Sequence, residues 1–363
     1  MPSFPSGIWS SSLLEHAIAV YSPRPTDQPV TSAAFDRLAR HLLEDGLRLL
    51  PASDSGGEIT GVEILSAGMR SVVLRLELQG FAEPSVVLKY FRRKDSATNS
   101  GGFGYLREKH GLAALEQVAP GLYPRLLAAD DTARLLVLED VTGGFSSAIS
   151  LGELLLSSGA DAAPRQALDA WVDTWASILG SPAQAAARAS FAAELASADA
   201  RASAPGSLPS PQLAFKGLHL LVEREGVPVG SVEFTQMEQA VEGIIYPAPS
   251  ERVLSSGDFS PANLLQQAAP GSGVRGIDAE GTCWHHWALP VAELLLGFPS
   301  WPEGPLPQAV LSSLTWHTKT QEFYERVSPQ PQAAFDHDQH VASAVLTLQA
   351  ILTEQTVGHK QSQ

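Results

Sequence analysis

The sequence predicts an α+β chain of two lobes, the amino-terminal one β-rich and the carboxy-terminal one mostly helical. Three observations carry this. The chain has 363 residues, more than the roughly 100 to 200 of a usual single domain. Apolar and polar residues alternate through much of residues 61–91, which is the period of strands, and apolar residues recur at helical spacing in most segments after residue 150. The joint is expected near Asp140 to Gly144, which divides the chain into lobes of residues 1–141 and 142–363.

Taken in order, residues 33–49 (AAFDRLARHLLEDGLRL) bring Phe35, Leu38, Leu42, Leu43 and Leu47 onto a helical period that Pro51 and the glycines behind it end. GVEILSAGMRSVVLRLEL then predicts two strands. In the second, Val72, Leu74 and Leu76 alternate with Val73, Arg75 and Glu77, and Gly68 lies in the turn between the two. PSVVLKYFRR is a third β-rich run, GGFGYLREKHGLAALEQV is a loop opening an amphipathic helix, and RLLVLEDV is an apolar strand ending in two acids. Beyond it, LGELLLSSG, PRQALDAWVDTWASILG, PAQAAARASFAAELASADARA and AAFDHDQHVASAVLTLQAILTEQ read as helices, with short β-like runs only around GVRGID. The Pro- and Ser-rich stretch from Ser203 to Gln212 reads as a surface connection.

Charge and cysteine usage narrow the function classes. A net charge of −15 and a pI of 5.1 argue against nucleic acid, whose phosphates require clustered Lys and Arg. Neutral or cationic small ligands are the expected partners. The single cysteine, Cys283, allows neither an internal disulfide nor a cysteine metal cluster. No stretch reaches the ~18 consecutive apolar residues of a membrane span, and the amino terminus shows no basic n-region with an apolar core. A cytoplasmic location is therefore expected, and nothing in the sequence specifies an oligomeric state.

The stretch VLSSGDFSPANLL places Asp258 and Asn263 in a loop too polar and too broken for core. Phosphoryl transfer from a nucleotide needs a turn over the phosphates, a strand lysine held by a helix glutamate, a carboxylate at the attacking hydroxyl, and an Asn and an Asp for magnesium. Those parts occur in that order: Gly68 with Ser71, Lys89, Glu108, Asp258, Asn263 and Asp278. Each has an ordinary alternative. Lys89 could be a solvated strand-end lysine, Glu108 a helix-dipole acid, Asp258 an Asx-turn residue and Asn263 a cap. Asp278, with Glu280 close behind it, is harder to dismiss, because crowded acids repel unless a cation is near.

In order and setting these residues resemble the aminoglycoside phosphotransferase and choline kinase-like family, small-molecule kinases built on the protein-kinase fold. The resemblance spans Glu63 to Gly297 and includes LREKHGLAAL, YPRLLAADDTARLLVLEDV and GIDAEG. It implies a bilobal, protein-kinase-like fold, with ATP as phosphate donor, GTP as an open alternative, and Mg2+ as the metal. It implies Asp258 as the catalytic carboxylate and Asn263 and Asp278 as magnesium ligands, with Glu280 as a further candidate. Lys89, paired with Glu108, would neutralise the phosphates under the turn of Gly68 and Ser71, and the backbone of Glu139 to Val141 would meet the base. The acceptor is expected to be a small hydroxylated molecule, aminoglycoside- or choline-like, which Asp173, Glu233, Glu238 and Glu293 would attract if it bears an amine.

The chain departs from the family in three places. Ser256 stands where the catalytic loop usually has His, Ser71 where the turn often has Asn, and DAWVDTWASILG ends without a common histidine. The alternative function is accordingly a degenerate, nucleotide-binding pseudokinase with a regulatory or scaffolding role. Three other motifs carry less. WHHW (Trp284 to Trp287) reads as packing or as a pocket wall, and His337 and His340 in DHDQH form an i, i+3 pair without further ligands in view. GGFSS lacks the pattern of a nucleophile elbow.

Overall fold

The computed structural model describes residues 43–46, 48–50, 57–67, 71–91, 104–143, 148–157, 162–199, 210–266, 273–299, 301, 306–329 and 337–361. The amino-terminal part is a five-stranded antiparallel sheet of β1 (Glu58–Ala67), β2 (Ser71–Gln79), β3 (Ser85–Phe91), β4 (Leu126–Asp130) and β5 (Leu135–Glu139), in the order β1-β2-β3-β5-β4. The alternation read from the sequence sets its two faces. Val72, Leu74 and Leu76 of β2 and Val86, Leu88 and Tyr90 of β3 are buried in one core, covered by Leu43 and Leu50 of the helical preface. Val73, Arg75, Val87 and Lys89 lie on the other face, in register as Val73↔Lys89 and Arg75↔Val87. Helix α1 (Tyr105–Val118) enters between β3 and β4, and its Tyr105, Leu112 and Leu115 join the main core with Leu136 and Leu138.

The remainder is mostly helical, as expected. It contains α2 (Leu151–Leu156), α3 (Ala162–Leu179), α4 (Gln184–Ala198), α5 (Pro211–Arg224), α6 (Val232–Ile245), α7 (Ala288–Leu295), α8 (Gln308–Leu311), α9 (Leu314–Val327) and α10 (Gln339–Gln361). An aromatic centre holds them together, in which Trp171 of α3 meets Trp175, Phe298 and Phe323 with ring centroids 5.9, 5.0 and 5.2 Å away. Rings at such spacing gain about 0.5–1.5 kcal/mol per pair beyond the area they bury. α10 packs along α5, α6 and α7. No helix among the described residues is long and apolar enough to cross a membrane.

Short strands thread through this helical part and carry the polar loops. β6 (Ile149–Ser150), β8 (Leu264–Gln266) and β9 (Val274–Gly276) form one sheet, and β7 (Arg252–Ser255) pairs with β10 (Cys283–His286) in a ribbon. The polar loop 256–263 leaves β7, ends in a 3-10 turn at Pro261–Asn263 and runs into β8. The loop 277–282 lies between β9 and β10. The two loops are tied directly, since the Ile277 N–H donates to the Asn263 carbonyl at 2.9 Å.

Candidate functional site

A cleft of about 740 Å³ separates the sheet from these loops. Ser71, Val73, Arg75, Val87 and Lys89 line it from above, Leu138 to Thr142 from the side, and Asn263, Leu265, Ile277 and Asp278 from below. The predicted Lys89, Glu108 and Asp278 meet here. Lys89 Nζ lies 2.6 Å from Glu108 Oε2, 2.7 Å from Asp278 Oδ1 and 3.3 Å from Glu280 Oε2. Lys89, Glu108 and Glu280 are buried. Burial pulls the ammonium pKa down, but Asp278, Glu108 and Glu280 more than offset that, and it ends above the ordinary lysine range. Burial pushes Glu108 up, Lys89 pulls it back and Asp278 adds to the rise, leaving it at about 7.

α1 is placed by the loop it serves. The Gly104 N–H donates to the Glu280 carbonyl at 3.0 Å, and the buried Arg107 guanidinium donates to the Thr282 carbonyl at 2.9 Å. Gly111 permits the approach, because a Cβ there would stand 2.3 Å from Thr282 Oγ1. Glu108 therefore faces Lys89 from a helix fastened to residues 280–282.

The Asp258 loop is braced from three sides. The Ser260 N–H donates to Asp258 Oδ1 at 2.9 Å, Trp171 Nε1 donates to the Phe259 carbonyl at 3.0 Å, and the Phe259 ring packs against Trp175 and His285 at 5.0 Å from each. His285 Nδ1 is 3.0 Å from the His286 carbonyl, which can only accept, so the ring proton sits on Nδ1 and Nε2 accepts from the Ser255 hydroxyl at 2.8 Å. Ser255 Oγ in turn accepts the Gly257 N–H at 3.0 Å. Gly257 has φ +77°, and a Cβ there would meet the Gly281 carbonyl oxygen at 2.1 Å, so only glycine fits. Ser256, in the place where the resemblance leads one to expect His, is buried and turns its hydroxyl to the Asp258 carbonyl at 3.5 Å.

The carboxylates of Glu108, Asp278 and Glu280 come within 4.8 Å of one another. Burial, then the neighbouring Asp278 and Glu280, push the Asp258 carboxyl above its ordinary range against the pull of Ser260 and Asn263. Asp278 is also strained, with φ 61° at a non-glycine residue, a conformation that costs about 1–3 kcal/mol and persists where the surroundings impose it. An excess of hard oxygen donors around one lysine, with an amide at Asn263, fits a divalent cation of the magnesium type.

Among the other expected residues, Ser71, Glu139 and Val141 line the cleft, while Gly68 lies outside the described residues. The Glu139 N–H is committed to the Arg125 carbonyl at 2.9 Å, and its carboxylate meets Arg275 at 3.2 Å. Glu280 joins the Lys89 cluster directly. Glu293 is buried in α7 and Asp173 pairs with Arg326 at 2.6 Å, so these two acids do not converge on the cleft. Two features had no sequence signal: Arg75 pairs with Glu63 at 2.6 Å and Asp140 at 3.2 Å in the cleft wall, and His285 braces the loop from WHHW.

No protein-family model matches the chain, and the comparison with curated proteins gives no match. Solved structures do match. A provisionally named aminoglycoside phosphotransferase of Ralstonia eutropha JMP134 has a TM-score of 0.50 at 14% identity, over 89% of this chain and 91% of that one. The chain has the protein-kinase-like fold of aminoglycoside phosphotransferases. Macrolide 2'-phosphotransferase MphH of Brachybacterium faecium (TM-score 0.45, 15% identity, 89% of this chain and 96% of that one) is also similar. So is choline kinase LicA of Streptococcus pneumoniae (TM-score 0.43, 13% identity, 83% and 87%). The resemblance read from Lys89, Asp258 and Asp278 is upheld at the level of fold.

Proposed function

We propose that this protein is an ATP- and magnesium-dependent phosphotransferase that phosphorylates a hydroxyl of a small molecule. The observation that carries this is the Lys89 cluster: a strand lysine, a helix glutamate and a loop aspartate from three distant parts of the sequence meet within 2.7 Å in a cleft that Asn263 also lines. Residues up to 141 would grip the nucleotide phosphates, and those from 142 onward would carry the catalytic loop and the acceptor.

Asn263 and Asp278 would hold magnesium, with Glu280 beside them; the ion would neutralise charge on the transferring phosphoryl group. Lys89, oriented by Glu108, would contact the phosphates. Asp258 would align the acceptor hydroxyl and take its proton as the oxygen bonds to phosphorus and the bridge to the leaving diphosphate breaks. Its raised pKa suits a group that must finish the step protonated. Crowded by three carboxylates, Lys89 alone offers a triphosphate little net attraction, so nucleotide binding is expected to require magnesium.

Thermal unfolding with ATP or GTP, with and without magnesium, tests this. At a hundredfold excess over the dissociation constant a ligand adds about 2.7 kcal/mol. The expected result is a magnesium-dependent rise that Asp278→Ala abolishes. No rise with either nucleotide would overturn the reading.

A further inference from the structure

We infer that the groove between α4 and the β7–β10 ribbon is a second ligand site, for a small oxyanion carrying phosphate or carboxylate groups. The groove holds about 250 Å³ and is lined by Ala185, Arg188, Ala189, Pro249, Arg252 and Trp284. Two arginines 64 positions apart converge in it. Arg188 donates to the backbone carbonyl of Arg252, Arg252 Nε donates to the Pro247 carbonyl at 2.8 Å, and the Arg252 guanidinium lies 5.9 Å from the Trp284 ring centre.

Neither arginine has a carboxylate within ion-pair distance among the described residues. Six others, Arg48, Arg75, Arg125, Arg224, Arg275 and Arg326, each do, while the fully buried Arg107 is spent on the Thr282 carbonyl away from any groove. The contrast matters in a chain with 39 acidic residues against 24 Lys and Arg. Even the adjacent Glu251 is turned away, accepting the Ala248 N–H at 2.9 Å and facing His286 at 3.9 Å. Both side chains are half-buried, each tied to a backbone carbonyl, and burial together with the like charge of Arg252 holds the Arg188 guanidinium below its ordinary range. An anion between them would relieve that repulsion and use the remaining N–H groups of two guanidiniums, whose planar donor sets match phosphate and carboxylate oxygens.

The cleft does not compete for such a ligand, because without magnesium its carboxylates outnumber Lys89. The test is thermal unfolding and calorimetric titration of the full chain in chloride buffer without magnesium. Inorganic phosphate and citrate are the probes, on wild type, Arg188→Gln, Arg252→Gln and Asp278→Ala. Glutamine removes the charge at both positions; at 252 it also places an amide where Nε donates to the Pro247 carbonyl, whereas at 188 the bond comes from the end of the guanidinium and is lost with it. The expected result is saturable stabilisation of the wild type by at least one probe, retained in Asp278→Ala and at least tenfold weaker in each arginine variant. Which probe acts distinguishes a phosphate from a carboxylate ligand. In the absence of anion, Arg252→Gln should unfold near the wild-type temperature. No response in the wild type, or a response that survives in both arginine variants, would overturn the site. Arginine variants that unfold lower and keep the response would mark the pair as structural.

Discussion

Lys89 and the Arg188–Arg252 pair are cations placed under opposite conditions. Lys89 has three carboxylates within 3.3 Å, whereas Arg188 and Arg252 line one groove with no carboxylate within ion-pair distance among the described residues. The first cluster carries excess negative charge and calls for a cation, and the second carries excess positive charge and calls for an anion. Local charge balance, rather than the −15 of the whole chain, sets which ligand each place can hold. It also separates the two in experiment, since magnesium should act only at the first and free oxyanions only at the second.

The largest expected effect is on the chemistry beside the lysine. Asp258→Asn should reduce turnover on a phosphorylated acceptor by about 10²- to 10⁴-fold while leaving nucleotide affinity nearly intact. A pseudokinase would show no turnover to lose, and single-turnover assays with labelled ATP decide between them. Next comes the cation itself. Lys89→Met strands buried carboxylates and should cost about 3–5 kcal/mol near pH 8 in urea unfolding. Because Glu108 sits at about 7 even with the lysine present, its pKa should rise further in the variant. The deficit against wild type should then shrink as pH falls towards 6 and the carboxyls protonate.

A smaller effect concerns the brace under Asp258. Burial lowers His285 from 6.5 to about 4. The unfolded chain therefore binds the proton first as pH drops. Stability is full above pH 6.5 and falls down to about pH 4, by on the order of 3 kcal/mol from this residue. His285→Gln should flatten that part of the pH profile; an unchanged slope would show that the ring is not held neutral by its surroundings. The smallest effect is expected at the arginines. Arg252→Gln without anion should change stability by less than about 0.5 kcal/mol, against several for Lys89→Met, and a comparable loss would erase the contrast between the two places.

The sequence and the structure agree where local pattern decides. The alternation in SVVLRLEL sets both faces of β2, and the spacing of Asp258, Asn263 and Asp278 announced two loops that the Ile277–Asn263 hydrogen bond then joins. β4 passed unnoticed because each of its residues is half-buried, which blurs the period. The short strands β7 and β10 were missed because their length and histidines carry no pattern. α5 opens at Pro211, inside the stretch read as a surface connection, and α6 opens after the cap Ser231, in a segment to which no helix was assigned. Glu280 on Lys89, Arg75 on Asp140 and His285 on Ser255 join residues 191, 65 and 30 positions apart. Only the folded register brings such partners together.

The anchoring of α1 has a mechanical consequence. The helix belongs to the sheet by sequence, yet Gly104, Arg107 and Gly111 moor it to residues 280–282. On its other side Tyr105 and Lys109 both reach Asp131, in the turn between β4 and β5, at 2.6 Å, so α1 is a clamp held by the sheet and by the loop at once. Glu108 is thereby a fixed abutment for Lys89, and loosening either hold on the helix would let the lysine's orientation drift.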